Sequence, residues 1–222
     1  MASQLVYGVL NPEQQPEQAL IIPLHGYKGS REDLIPLARA VGPQTRIVAP
    51  ESVNMVFEGR QTTGHMWYRM LELGHPEPGS VGDSLWQLEQ FIYDLQDARQ
   101  EGEAWPPLLL GYDQGAVMAL MLALIMPDFL AGVIAIRGYL PDIRNWPIEA
   151  QAMNNLPVLL VSDPEDREFP RSLTDNTALQ LSTYGANVST QAVPHACTFG
   201  PELTPVIQQW FHALIAQERN SA

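Results

Sequence analysis

The chain reads as an α/β fold, a mostly parallel sheet with helices on both faces. Three observations carry that expectation. Short continuous apolar runs recur along the 222 residues, as strands covered on both sides require. Segments of helical period lie between them. Glycine-bearing turns stand where two apolar runs end, at Leu24-His25-Gly26 and at Gly111-Tyr112-Asp113-Gln114-Gly115.

The first strand candidate is Leu5–Leu10, and a polar, proline-containing loop joins it to Ala19–Leu24, so these two can run antiparallel. The glycine in Pro23-Leu24-His25-Gly26-Tyr27 lets the chain turn sharply and aims the Tyr27 amide toward a substrate oxygen. His25 beside that glycine reads as structural rather than as a general base. Ser30 caps a helix from Arg31, with Asp33 in its first turn, and Gly42-Pro43 stops it. Arg46–Ala49 is the third strand, and Pro50 to Val81 shows no regular period. A loop that long is expected to lie over the strand ends.

The second helix spans about Gly82 to Gln100, where Leu85, Leu88, Ile92 and Leu95 recur at helical spacing. Leu108–Gly111 is a strand that runs into a turn and then a helix with the apolar run Ala116 to Met126. That run is too short to span a bilayer and ends at Pro127. Strands Ala131–Ile136, Pro157–Val161 and Val188–Val193 follow, with a helix at about Arg171 to Tyr184 ended by Gly185. The last helix starts near Pro201 and sets Val206, Ile207, Trp210, Leu214 and Ile215 along one side. Right-handed crossovers are expected between parallel strands, and the length suits a single domain over 1–222.

A formal net charge of −13 repels phosphate backbones and anionic lipid, so neither nucleic acid nor a membrane is an expected partner. Cys197 is the single cysteine, which rules out an internal disulfide, and no secretory leader is legible in the first residues. The expectation is a cytoplasmic protein. His65, His75 and His212 lack metal-ligand spacing, and no phosphate-cradling loop or dinucleotide fingerprint is present. Neither a metal nor an organic cofactor is therefore expected.

Ligands of open α/β sheets gather at the carboxyl ends of strands. Flanking glycines around Asp113 suit a strand-to-helix turn that exposes the central side chain, and the Gln114 amide at a helix N-terminus is placed to donate to an oxyanion. Asp before a helix also reads as a plain N-cap. Asp163 and Asp166 both follow a strand, and either can orient a histidine. His195 follows the last strand, completing the order elbow, acid, histidine. Cys197 reads as a small buried side chain, not a second nucleophile.

Leu24-His25-Gly26, the Gly111 to Gly115 elbow, Asp166-Arg167-Glu168-Phe169-Pro170 and His195 stand in the order seen in one family. The chain resembles the phospholipase/carboxylesterase group of α/β-hydrolases, which includes acyl-protein thioesterases. That group shows an L-H-G turn, a G-F-S-Q-G elbow, a D-x-x-[VI]-P acid loop and a late histidine. Gly64-His65-Met66-Trp67-Tyr68-Arg69-Met70 also resembles the group's aromatic segment at the acyl pocket, although Arg69 stands where an acid is common. The resemblance spans nearly the whole chain. It implies a three-layer α/β-hydrolase fold of about seven strands, the first antiparallel. The connection from Arg137 to Pro157, about twenty residues long, is too short for a cap domain. The resemblance further implies a triad-like Asp113, His195 and Asp166, oxyanion donors at Tyr27 and Gln114, and a pocket with His25, Gly26, Trp67 and Tyr68. The implied substrate is a small ester or acyl compound.

The departure lies at Asp113, where the family carries serine. Carboxylate attack on an ester gives a mixed anhydride, and the carboxylate then leaves more readily than an alkoxide. Loss of a triad nucleophile costs roughly 10⁶ in turnover in a comparable serine enzyme, so weak ordinary esterase activity is expected. Two alternatives stand beside this. Displacement at saturated carbon, as in dehalogenases and epoxide hydrolases, gives a stable alkyl ester that a His195-activated water can cleave. Trp67, Tyr68, Tyr139 and Trp146 offer donors for that chemistry, although each reads more simply as a packing aromatic. The other alternative is a ligand-binding protein without turnover.

Overall fold

Apolar strands hidden on both faces need a layer of helices on each side, and the chain builds both. The computed structural model describes residues 5–10, 19–98 and 106–221, with the side chains of 217–221 left aside. In chain order the elements are β1 (Val6–Leu10), β2 (Leu20–Leu24), α1 (Ile35–Val41), β3 (Arg46–Glu51), β4 (Met55–Glu58), β5 (Gln61–His65), β6 (Met70–Glu72), β7 (His75–Pro76), α2 (Pro78–Asp97), β8 (Leu108–Tyr112), α3 (Gln114–Ile125), β9 (Gly132–Ile136), β10 (Pro157–Ser162), α4 (Arg171–Thr183), β11 (Asn187–Ala192) and α5 (Leu203–Ser221). The central sheet has seven strands in the order β1-β3-β2-β8-β9-β10-β11. β1 runs antiparallel to β3, and every other pairing in this sheet is parallel. This is the three-layer α/β-hydrolase architecture.

Strand pleating sends neighbouring residues to opposite layers. Ile21, Leu108 and Leu110 pack with Leu37 and Val41 of α1 and Ile207 and Phe211 of α5. Ile22, Leu24 and Leu109 pack with Leu88 and Phe91 of α2, with α3 and with Leu181 of α4. Each such leucine or isoleucine contributes about 1.5–3 kcal/mol by leaving water. Among the described residues no helix is long and apolar enough to cross a membrane.

Several boundaries differ from the sequence expectation. The helix expected from Arg31 begins at Ile35. Ser30 does not cap it, because its hydroxyl and amide both bond the Asp33 carboxylate and close a separate turn. Pro36 then fixes the first helical turn, the place where a missing N–H costs nothing. α2 likewise starts at Pro78, four residues before Gly82, and Gln100 lies outside the described residues. The segment expected to be irregular, Pro50 to Val81, carries the hairpins β4–β5 and β6–β7. Their short, mostly exposed strands lack the apolar runs that marked the central sheet.

α3 is the central helix, buried at every position from Gln114 to Leu124. It approaches β2 and β8 at backbone distance. A Cβ on Gly115 would stand 2.0 Å from the Leu24 carbonyl oxygen, and one on Gly111 would stand 2.4 Å from the Gly115 oxygen. Gly115→Ala therefore forces the helix off the sheet. Urea unfolding should show a loss of at least about 3 kcal/mol, the upper end for overpacking, and a variant within 0.5 kcal/mol of the parent (about the level of a surface change) would contradict this packing.

Candidate active site

The close approach of α3 to the sheet leaves one residue to make the strand-to-helix corner, and that residue is Asp113. Its φ of 51° and ψ of −118° lie in a region that side chains other than glycine rarely adopt. Its amide donates to the Ile136 carbonyl at 3.0 Å, and its own carbonyl accepts from Ala116 and Val117. The side chain makes no capping hydrogen bond to α3, so the plain N-cap reading does not describe it.

The Asp113 carboxylate is held by the loop after β2. Tyr27 N–H donates to Asp113 Oδ2 at 2.9 Å. Gly26 makes this approach possible, since a Cβ there would meet Tyr112 Cδ1 at 2.8 Å. Burial pushes the Asp113 carboxyl above its usual range, against the Tyr27 amide, the Arg137 charge and the Gln114 amide, which all favour ionisation. Both amides expected as oxyanion donors thus act on the Asp113 carboxylate.

Arg137, at the end of β9, is the neighbour that sequence reading missed. Its guanidinium lies with Nε 2.5 Å from Asp166 Oδ2, Nη2 2.6 Å from Glu168 Oε2 and Nη1 3.6 Å from Asp113 Oδ1. One face covers the Phe169 ring, with 4.2 Å from Cζ to the centroid. The other Asp166 oxygen accepts from the amides of Glu168 and Phe169. Burial opposes the Asp166 charge, but Arg137 and those amides outweigh it and hold the carboxyl below its usual range.

His195 is placed differently from the expectation. Its side chain is 61% exposed, and Nδ1 lies 3.7 Å from Glu165 Oε2. The structure therefore joins Asp113 to Asp166 through Arg137, and the expected Asp113–His195–Asp166 relay is not assembled. Asp163 shows what holds the histidine loop. Its Oδ2 accepts from the Cys197 amide at 3.2 Å and the Cys197 thiol at 2.9 Å. Tyr112 OH donates to the Cys197 carbonyl at 2.8 Å and pins the same loop from the elbow side. Cys197 is thus a polar partner rather than apolar filling, and the bond to Asp163 pushes its thiol up to about 11.

The expected pocket residues form a buried frame. His25 Nδ1 bonds the Gly26 oxygen at 2.9 Å, and Nε2 accepts from the Ser52 amide at 3.2 Å. Its ring stacks on Trp67 at 4.8 Å, and burial lowers its pKa, so it is a neutral structural histidine. Trp67 Nε1 donates to the His25 carbonyl. The Gln114 side chain accepts from the Trp67 and Tyr68 amides and donates to the Tyr68 carbonyl. Trp67 and Tyr68 are both buried. Arg69 turns away to Glu77. A polar cavity of about 230 Å³ lies beyond Tyr68, lined also by Asn54, Met66, Arg69, Ser80 and Asp83.

Comparison with known proteins agrees with this architecture. The family model for phospholipase/carboxylesterase matches residues 7–200. Among solved structures, the carboxylesterase of Bacillus cereus is similar at 16% identity and a TM-score of 0.80, covering 95% of each chain. The carboxylesterase of Mesorhizobium loti is similar at 20% identity and a TM-score of 0.80, covering 96% of this chain and 99% of its own. A phospholipase/carboxylesterase of Dyadobacter fermentans shows 19% identity and a TM-score of 0.72 over 95% and 98%. No curated protein sequence matches the chain.

Two of the three carboxylates on Arg137, Asp166 and Asp113, should respond to pH with opposite sign. Asp166 has a lowered folded pKa, so its contribution is present above the ordinary carboxylate value and is lost as pH falls through the folded one. Asp113 has a raised folded pKa, so it costs stability as pH rises through the interval above the ordinary value. Asp166→Asn should lose about 2 kcal/mol in urea unfolding at pH 7, and less below pH ~4. Asp113→Asn should gain stability at neutral pH relative to acid. Shifts of the same sign in both variants would contradict the assignment.

Proposed function

The chain belongs to the phospholipase/carboxylesterase family, and on that premise we propose a carboxylic ester hydrolase scaffold with weak ordinary ester turnover, its ligand a small or acyl ester. The observation that carries this reading is the hydrogen bond from Tyr27 N–H to Asp113 Oδ2 at 2.9 Å. Acyl transfer needs donors free to meet the oxygen that becomes negative in the tetrahedral intermediate. Here the donor is already satisfied by a carboxylate, and an incoming oxyanion would meet like charge.

Two further points support the same reading. A carboxylate adduct with an ester carbonyl collapses backwards, because the anhydride side expels the better leaving group. The group that activates a hydroxyl and later a water in acyl-enzyme chemistry is an imidazole, and His195 lies at Glu165. Displacement at saturated carbon also needs an activated water to release its alkyl ester, so the position of His195 gives that alternative no support.

Hydrolysis of p-nitrophenyl acetate and of a short acyl thioester tests the proposal. The expected kcat/KM lies below about 10² M⁻¹s⁻¹, well under the usual enzyme floor of about 10⁴ M⁻¹s⁻¹, with no burst of acyl-enzyme. A value above that floor accompanied by acylated Asp113 in mass spectrometry would overturn it.

A further inference from the structure

An imidazole that serves position 113 while oriented by Asp166 must sit between those two side chains. Arg137 fills that gap, touching Asp166 at 2.5 Å and Asp113 at 3.6 Å. It takes one oxygen of Asp166, whose other oxygen accepts from two backbone amides. The contact with Asp113 is the longest of its three. Removing that carboxylate alone would leave Arg137 gripped by Asp166 and Glu168 and backed by Phe169. His195 stands on a pinned loop, but its side chain is exposed and meets only a solvent-screened carboxylate, Glu165, so the imidazole itself can turn once the gap opens.

We propose that Arg137 is a positioning residue that takes the place of the imidazole between the residue at 113 and Asp166, so that ester turnover returns only when positions 113 and 137 are both changed. The inference rests on the weak-esterase reading above. It adds that the lost activity has two causes, an altered attacking group and an occupied base position.

The test uses the full chain with Asp113→Ser, with Arg137→Ser, with both, and with both plus His195→Ala. p-Nitrophenyl acetate reports turnover, a fluorophosphonate reports an activated hydroxyl at position 113, and circular dichroism reports folding. Arg137→Gly, which suits the left-handed backbone at 137 (φ 56°) and leaves the gap open, replaces Arg137→Ser if the latter does not fold. The double variant should exceed Asp113→Ser by at least about 100-fold in kcat, the low end for a general base. It should also take the fluorophosphonate label, and should lose both properties with His195→Ala. The proposal is overturned if Asp113→Ser alone matches the double variant, if the folded double variant stays inactive, or if its activity survives His195→Ala. Strong turnover by the unsubstituted chain would instead count against the weak-esterase reading, which is judged separately from the ratio between single and double variants.

Discussion

The contact on which the site depends is the approach of α3 to β2, where Gly115 meets the Leu24 carbonyl at a distance no side chain allows. α3 is buried on every side, so it has no room to tilt away from the sheet. The turn that feeds it must then be tight, and Asp113 absorbs the strain at φ 51°. That geometry displays whatever side chain stands at 113 above the strand ends. It belongs to the backbone and is indifferent to the chemistry of the residue displayed, so a carboxylate can stand at this strand-to-helix corner.

The electrostatics above the sheet follow from putting a charge there. A buried carboxylate needs partners, and Asp113 finds the Tyr27 amide and the Arg137 guanidinium. Arg137 in turn gathers Asp166 and the 80% exposed Glu168, so one cation answers three carboxylates. A second network runs beside it, from Asp163 through Cys197 to the histidine loop. The two share no side chain. The acid loop therefore serves both arms, with Asp163 holding the histidine loop and Asp166 holding the arginine.

The aromatic segment shows a similar division of labour. Trp67 and Tyr68 read in sequence as pocket walls, but their hydrogen bonds to Gln114 and His25 make them a brace between the elbow and the loop after β2. Ser84 of α2 donates to the Trp67 carbonyl from the other side. This brace ties the loop after β2 to the elbow, while burial and the Ser52 amide on Nε2 keep His25 neutral.

Apolar runs, helical spacing and glycine turns determined the strand-helix order, the mostly parallel sheet and the tight turn at 111–115 from the sequence itself, because burial on two faces and close backbone approach restrict residue type locally. Family resemblance in motif order supplied the count of about seven strands, and it agreed with the loop after Leu10 on an antiparallel first strand. The hairpins over 55–76 were not legible, since their pairing is set by contacts such as the bridge from His65 to Gly29 rather than by apolar pattern. Neither was Arg137. Ile136-Arg137-Gly138 closes an apolar strand with a single charge, a signal available at a carboxyl strand end, but its partners lie 24, 29 and 31 residues away in sequence. Which carboxylate it meets, and that it rather than His195 stands between Asp113 and Asp166, was decided only when tertiary packing brought three loops to one point, because ion pairing depends on distances in space that residue order does not encode.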